Sequence, residues 1–141
     1  MKIEQQYIIL FNGKTAEERI RECERELVEI NGSWEDIVKR MQDFYYGEYN
    51  QDFYEVRDAI TGHHSQAQPC MVVECQRKLY DGSRKIVRSI ASGLELWISR
   101  ATMHMVEEHK LLQVRQIGKA PETSENRWGI NPKEFYQNFM I

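Results

Sequence analysis

Apolar positions in the first third of the chain recur with a helical period. From Ile20 to Ile30, and again from Trp34 to Phe44, they are spaced three and four residues apart, which places them on one face of a helix. Thr15 and Ser33 precede these two runs and suit N-caps, because their hydroxyls can accept from first-turn amides. The pattern therefore predicts two amphipathic helices.

A third helix is predicted directly after these two. Asn50 is a suitable N-cap, and Phe53, Val56 and Ile60 continue the spacing of three and four up to Gly62. Residues 15–61 are therefore predicted to form three consecutive helices.

The pattern changes to β-branched and alternating residues after Pro69. Asp81-Gly82 stands between two such runs and is a strong signal for a tight hairpin turn. Further breaks fall near residues 92 and 108, a spacing typical of an antiparallel meander. Four strands are predicted, at Met71–Tyr80, Ser83–Ile90, Leu94–Val106 and Leu111–Ile117.

Residues 94–117 also allow one long helix. Five of their apolar residues share a helical face: Leu94, Ile98, Ala101, Met105 and Leu112. Other apolar residues fall off that face, Leu96, Met103 and Val106 among them, which favours the two strands. Both alternatives stay open, with two strands preferred.

The two ends of the chain carry shorter signals. Ile3–Phe11 is apolar and suits either a strand or a first helical turn. Asn131-Pro132 begins a short helix over about 132–140, whose Phe135 and Phe139 share one face that should dock on the body or on a second subunit. The predicted fold is α+β: three N-terminal helices packed on a curved four-stranded antiparallel meander, with a short C-terminal helix.

Composition indicates a single ordinary domain over residues 1–141. Hydrophobic residues make up 41% and charged residues 29%, which excludes a disordered chain. No apolar run reaches the roughly 18 residues of a membrane span, and the N-terminus lacks a signal pattern. Three cysteines, an odd number, suit reduced thiols, so the predicted location is the cytoplasm.

Charge is unevenly distributed along the chain. Residues 1–62 hold 8 Lys and Arg against 14 Asp and Glu, a net charge of −6, whereas residues 63–93 hold 5 against 2. The acidic half suits a solvated helical surface or, alternatively, a docking face for a basic partner.

The predicted arrangement resembles the nuclear transport factor 2-like superfamily, which includes polyketide-cyclase-like and ketosteroid-isomerase-like proteins. The resemblance over residues 15–118 depends on Ser33–Val38 opening a helix, the Asp81-Gly82 hairpin, and Leu94–Ile117 as two strands. It implies a cone-shaped α+β domain with a deep pocket between sheet and helices, and frequently a dimer formed through the sheet. Many members use a buried Asp or His as a base, whereas others only bind ligands.

Three residues at the predicted junction of helix and sheet are candidates for acid/base chemistry. Asp58, His63 and His64 could place an imidazole beside a carboxylate, a pairing that can transfer protons near neutral pH. The alternative is a structural role, in which His63 and His64 are exposed loop residues and Asp58 pairs with Arg57 or serves as a cap.

Six residues are candidates for binding a small, largely apolar molecule. An aromatic cluster over residues 44–54 could line an apolar pocket with polar tips, or could belong to the core. An arginine in such a pocket could anchor a carboxylate or phosphate. The candidates are Tyr45, Tyr49, Phe53, Trp97, Arg100 and His104.

A zinc site is considered at His63, His64, Cys70 and Cys75. Zinc needs four converging ligands, and two residues five apart on one strand point to opposite faces. With both cysteines on the predicted strand Met71–Tyr80 or at its edge, the sequence predicts no metal and no cofactor.

Basic residues flank the predicted hairpin and could bind nucleic-acid phosphates around Tyr80. Charges on an exposed strand also block edge pairing, and the chain as a whole is acidic. The sequence therefore argues against nucleic acid as a partner. The residues concerned are Arg77, Lys78, Arg84, Lys85 and Arg88.

Two functions follow from these patterns. The first is a pocketed domain that binds a small, largely apolar molecule, with or without acid/base chemistry. The second is a non-enzymatic interaction module, an inhibitor or assembly subunit, that uses the acidic helices or the C-terminal aromatic helix. A homodimer is expected for both functions, because an antiparallel sheet with an open face must cover it.

Overall fold

The computed structural model of the chain describes residues 1–3, 14–59, 68–79, 83–112, 116–117 and 130–141. Four helices and six strands lie in these ranges. The predicted segment Ile3–Phe11 lies almost entirely outside the described residues, and the turn Asp81-Gly82 lies wholly outside them. The α+β class predicted from the sequence is confirmed.

The first two predicted helices are present with their predicted caps. Helix α1 spans Ala16–Glu29, and the Thr15 hydroxyl accepts from the amide of Glu18. Helix α2 spans Trp34–Tyr45, and the Ser33 hydroxyl accepts from the amide of Asp36. The apolar face of α2 is buried in the main core, which explains why its periodicity predicted the helix correctly.

The third predicted helix is wrong, because this segment forms a strand. Strand β1 spans Tyr54–Ala59 and pairs antiparallel with β4, which spans Arg84–Ser89. Tyr54 is buried, and Val56, two residues on, packs against the same core. The segment therefore buries every second side chain, as a strand does, and not every third or fourth. The partner strand β4 lies about thirty residues further along the chain. The spacing of apolar residues within β1 itself therefore gives no sign of this pairing.

The main sheet has the strand order β1-β4-β5-β6. Strand β5 spans Glu95–Ile98 and pairs antiparallel with β4, and the two-residue strand β6 spans Gln116–Ile117 at the edge. The predicted strand Ser83–Ile90 is therefore confirmed as β4, although its neighbours are β1 and β5.

The predicted strand Leu94–Val106 is wrong beyond Ile98. The chain leaves β5 and enters helix α3, Arg100–His109, so that neither two strands nor one long helix fills this region. Ser99 and Thr102 form a reciprocal capping box that starts the helix. Met103 and Val106 are buried on the inner face of α3, and their tertiary packing outweighs the strand-like alternation.

The predicted strand Met71–Tyr80 is also wrong as a continuous strand. Only a short ribbon is present here, formed by β2, Gln68–Pro69, and β3, Lys78–Leu79. Between them, Val73–Cys75 forms a 3-10 turn, and Gln76 has a left-handed φ of 52°. The four-stranded meander predicted from residues 71–117 is therefore replaced by a sheet that begins with β1.

Helix α4, Pro132–Phe139, docks on the chain's own body. Phe135 and Phe139 are fully buried, and Phe139 stacks on Tyr54 at a centroid distance of 6.2 Å. The main core thus joins α2, the inner sheet face, α3 and α4. None of the helices described is long and apolar enough to cross a membrane.

Candidate metal centre

Two cysteines lie on either side of the 3-10 turn between β2 and β3. The Cys70 amide donates to the Arg77 carbonyl at 2.8 Å, which closes the loop, and the Cys75 amide donates to the Val72 carbonyl at 3.0 Å. Because the chain turns between the two cysteines instead of running straight, their sulfur atoms face the same region. The strand geometry that argued against a shared site therefore does not apply.

Helix α3 brings two histidines to the cysteines. His104 lies in the middle of the helix and His109 is its last residue, directly before Lys110 ends the helix with a left-handed φ of 58°. The two imidazole rings meet edge to face with centroids 5.0 Å apart.

The four side chains converge on one point. Cys75 Sγ lies 3.4 Å from His104 Nε2, and Cys70 Sγ lies 3.4 Å from His109 Nε2. One donor atom from each residue lies within 4.8 Å of all the others. In a tetrahedral zinc site with the usual bond lengths, a sulfur and a nitrogen ligand are about 3.5 Å apart. The spacing of the donors therefore fits a tetrahedral metal ion.

The site is formed largely inside the protein. Cys70 and His104 are 5% and 7% exposed, and Cys75 and His109 are half-buried. Burial raises the pKa of the Cys70 thiol and lowers the pKa of both imidazoles. The nearby His109 and Arg77 lower the pKa of His104 further. Neutral imidazole is the form that binds a metal, whereas the thiols must lose their protons to the solvent when the metal binds.

A small apolar cluster packs around the two cysteines. Ala16 of α1, Val72, Met105 and Leu111 are buried together with Cys70, and the Val72 amide points to Cys70 Sγ at 3.5 Å. Such surroundings exclude water from the sulfur, and the amide stabilises a thiolate. Two sulfur and two imidazole donors form the set typical of zinc, and hard cations such as magnesium prefer oxygen ligands.

The sequence contained a signal for this centre. Four residues separate Cys70 from Cys75, and four separate His104 from His109. Structural zinc sites commonly separate paired cysteines by about two to four residues and paired histidines by about three to five. His109 is absent from the predicted site residues, because His104 was predicted in a strand and His109 in the turn after it, and not on one helix.

The predicted acid/base residues are only partly described. Asp58 is exposed near the end of β1, where its carboxylate pairs with Lys85 of β4. His63 and His64 lie outside the described residues, so their approach to Asp58 stays a prediction.

The predicted ligand-binding residues fall into two groups. Arg100 and His104 both line an open groove of about 410 Å³ between α2, β3 and α3. The others lie elsewhere: Tyr45 donates to the Ser83 carbonyl at 3.3 Å, Tyr49 packs beside Phe44, and Phe53 is 44% exposed. Trp97 lies under the guanidinium of Arg84, at 5.0 Å from the ring centroid.

Several basic residues considered for nucleic-acid binding are engaged on the sheet surface. Lys85 pairs with Asp58 and Arg88 pairs with Glu55, in both cases across the β1–β4 register. Arg77 and Lys78 instead line the groove beside the candidate metal centre. Two of the five basic residues therefore pair with carboxylates of the same sheet, and two line the groove.

Comparison with protein-family models, with curated proteins and with solved structures finds no match for the chain. The resemblance to the nuclear transport factor 2-like superfamily therefore stays a prediction.

Proposed function

We propose that the protein is a zinc-binding domain in which Cys70, Cys75, His104 and His109 hold one Zn²⁺. The observation that supports this is the convergence of four donor atoms within 4.8 Å of one another, with two sulfur–nitrogen distances of 3.4 Å. These side chains come from two elements that are far apart in the sequence.

The role of the metal is structural. Four protein ligands complete a tetrahedral site, whereas catalytic zinc keeps one position for water or substrate. The ion would tie the loop between β2 and β3 to α3, in addition to the apolar packing of Cys70 and Val72 against Met105 of that helix. The predicted cytoplasmic location suits this role, because thiolate ligands persist in a reducing compartment.

Zinc content tests the proposal. Protein purified in the presence of zinc and then dialysed should hold one zinc ion per chain by elemental analysis. Cobalt(II) added to the metal-free protein should give the intense visible spectrum of tetrahedral coordination together with sulfur-to-cobalt charge transfer. Cys75→Ala and His109→Ala should each lose most of the zinc affinity, because three ligands remain.

Two controls use residues of matching chemistry. Cys23→Ala removes the third cysteine, which is buried in α1 and does not belong to the group of converging donors, and should keep full zinc content. The double variant His63→Ala/His64→Ala tests the ligand set considered from the sequence. Zinc loss in this double variant, with retention in His109→Ala, would contradict the proposal.

The groove beside the metal centre supports small-molecule binding as a second candidate function. Its volume of about 410 Å³ lies within the range of ligand sites, and Arg77, Lys78 and Arg100 line it together with Glu107 and Glu108. Such a lining favours a charged or polar ligand over the largely apolar one predicted from the sequence.

Thermal-shift screening against charged metabolites tests this second candidate. A ligand should raise the melting temperature of the wild-type protein and should lose its effect in Arg100→Gln. Arg25→Gln, which changes an exposed arginine on α1, is the matched control. A ligand that acts equally on both variants does not bind in the groove.

A further inference from the structure

We infer that the cysteine pair of this centre is also a redox modification site: a peroxide converts Cys70 and Cys75 into an intrachain disulfide and so expels the zinc ion. This inference rests on the proposed zinc site. It assigns a regulation to that site which a purely structural centre does not require.

The two sulfur atoms are close enough to join with a small movement. They lie no more than 4.8 Å apart, and a disulfide brings them to about 2.05 Å. The residues that must move form a short turn between two-residue strands of a separate two-stranded sheet, and Cys75 in this turn is only half-buried. The loop can therefore adjust without disturbing the main sheet.

An oxidant can reach one of the two sulfurs. Cys75 is half-buried and follows the exposed residue Glu74, whereas Cys70 is buried against Met105. His104, whose Nε2 contacts Cys75 Sγ, lines the open groove, so a molecule as small as hydrogen peroxide has a route to this side of the centre. Cys75 is therefore the sulfur that reacts first, and Cys70 is the resolving thiolate.

The chemistry balances with peroxide as the only oxidant. The Cys75 thiolate attacks one peroxide oxygen, the O–O bond breaks, hydroxide leaves, and a sulfenic acid forms. The Cys70 thiolate then attacks the Cys75 sulfur, the S–S bond forms, and a second hydroxide leaves. Two electrons pass from the sulfur pair to peroxide, and zinc keeps only its two imidazole ligands.

The release of zinc removes one of the links between the loop and α3, and the apolar packing of Cys70 and Val72 against Met105 is the link that stays. The new disulfide joins residues of the same loop, so it does not replace the lost link between this loop and α3. His104 and His109 then lose their attachment to the loop, although α3 keeps its apolar contacts through Met103 and Val106. The oxidised protein should keep its main core and loosen the ribbon formed by β2 and β3.

Peroxide treatment of the zinc-loaded full chain tests the inference. A chromogenic zinc chelator should report the release of one zinc ion per chain, while titratable thiols fall from three to one. Peptide mapping should find a Cys70–Cys75 disulfide and an unmodified Cys23. Dithiothreitol should restore three thiols and full zinc binding.

Two variants separate this inference from the proposed function. Cys23→Ser should release zinc as the wild type does, with thiols falling from two to none. Cys75→Ser removes the partner of Cys70, and peroxide should form no intrachain disulfide in this variant. Zinc and all three thiols retained under peroxide, or disulfides formed only between chains, would overturn the inference and leave the zinc site standing. A wild-type chain that never binds zinc would overturn both.

Discussion

Cys23 shows how burial decides the chemistry of a cysteine. Its side chain is fully buried in α1, and this burial raises the pKa of its thiol to about 11. At pH 7 only about one such thiol in ten thousand is ionised, and the thiolate is the reactive form. Cys23 is thus a core residue.

We predict that Cys23 resists alkylation in the folded protein. In metal-free protein at neutral pH, iodoacetamide should modify the half-buried Cys75 well before Cys23. The reagent cannot reach the buried Cys23 sulfur, and almost none of this thiol is ionised. Mass spectrometry of peptides over time measures both rates. Equal rates in the native protein, with no unfolding by circular dichroism, would contradict the account.

Arg19 of α1 is a buried charged residue that joins distant segments. It is 7% exposed, and its guanidinium donates to Asn131 Oδ1 and to the Ile130 carbonyl at 3.1 Å. Asn131 in turn donates to Glu22 and Glu26, and the Glu26 carboxylate accepts from the Lys133 amide at the start of α4. The side chain of Asn131 therefore bridges to α1 and does not cap its own helix.

Arg19→Ala should lower the free energy of unfolding by about 2–4 kcal/mol, because it leaves buried carbonyl acceptors without a donor. Arg21→Ala, an exposed change on the same helix, should cost no more than about 0.5 kcal/mol. Urea denaturation followed by circular dichroism compares the two variants. Similar urea midpoints for the two variants would show that the hydrogen bonds of Arg19 contribute little to the stability of the fold.

At the scale of elements, α3 holds both histidines of the candidate metal centre, and its start is defined by Ser99. Ser99→Ala removes half of the capping box and should cost about 1 kcal/mol in stability. It should also weaken zinc affinity, because a frayed helix holds the two imidazoles less firmly. Ser33→Ala removes the N-cap of α2 and is the matched control.

We expect Ser33→Ala to lower stability by a similar amount and to leave zinc affinity unchanged. Competition with a chelator of known affinity measures the zinc affinity of each variant, and thermal denaturation measures its stability. If both variants lose zinc affinity in proportion to their stability, the effect is a general loss of folding and not a property of α3.

Helix α2 could be predicted from the sequence because its signals are local. Its apolar spacing and its cap are contained in twelve consecutive residues and the serine before them. Strand β1 could not be predicted in this way, because Tyr54 and Val56 gain their burial from β4 and from α4. Helical spacing at Phe53, Val56 and Ile60 was a coincidence that the tertiary pairing overrides.

The candidate metal centre was predicted only in part, for a similar reason. Its contacts join residues 29 and 39 positions apart, and the loop turns between the cysteines where a straight strand was predicted. The cysteine and histidine spacings were visible in the sequence. Their convergence depended on α3, which the strand prediction had excluded.

At the scale of the whole molecule, zinc should contribute to global stability. An ion that binds only the folded chain, present at about a thousand times its dissociation constant, stabilises it by about 4 kcal/mol. A strong chelator should therefore lower the melting temperature of the wild-type protein. It should have no effect on His104→Ala/His109→Ala, which lacks two ligands. A chelator effect of equal size in both proteins would contradict the account.

X-ray absorption at the zinc edge, measured on the zinc-loaded full chain, tests the central claim most directly. The account predicts a four-coordinate ion with two sulfur neighbours at about 2.3 Å and two nitrogen neighbours at about 2.0–2.1 Å. A shell of oxygen and nitrogen alone, or one with a single sulfur, would contradict the assignment of Cys70 and Cys75 together with His104 and His109 as the ligands.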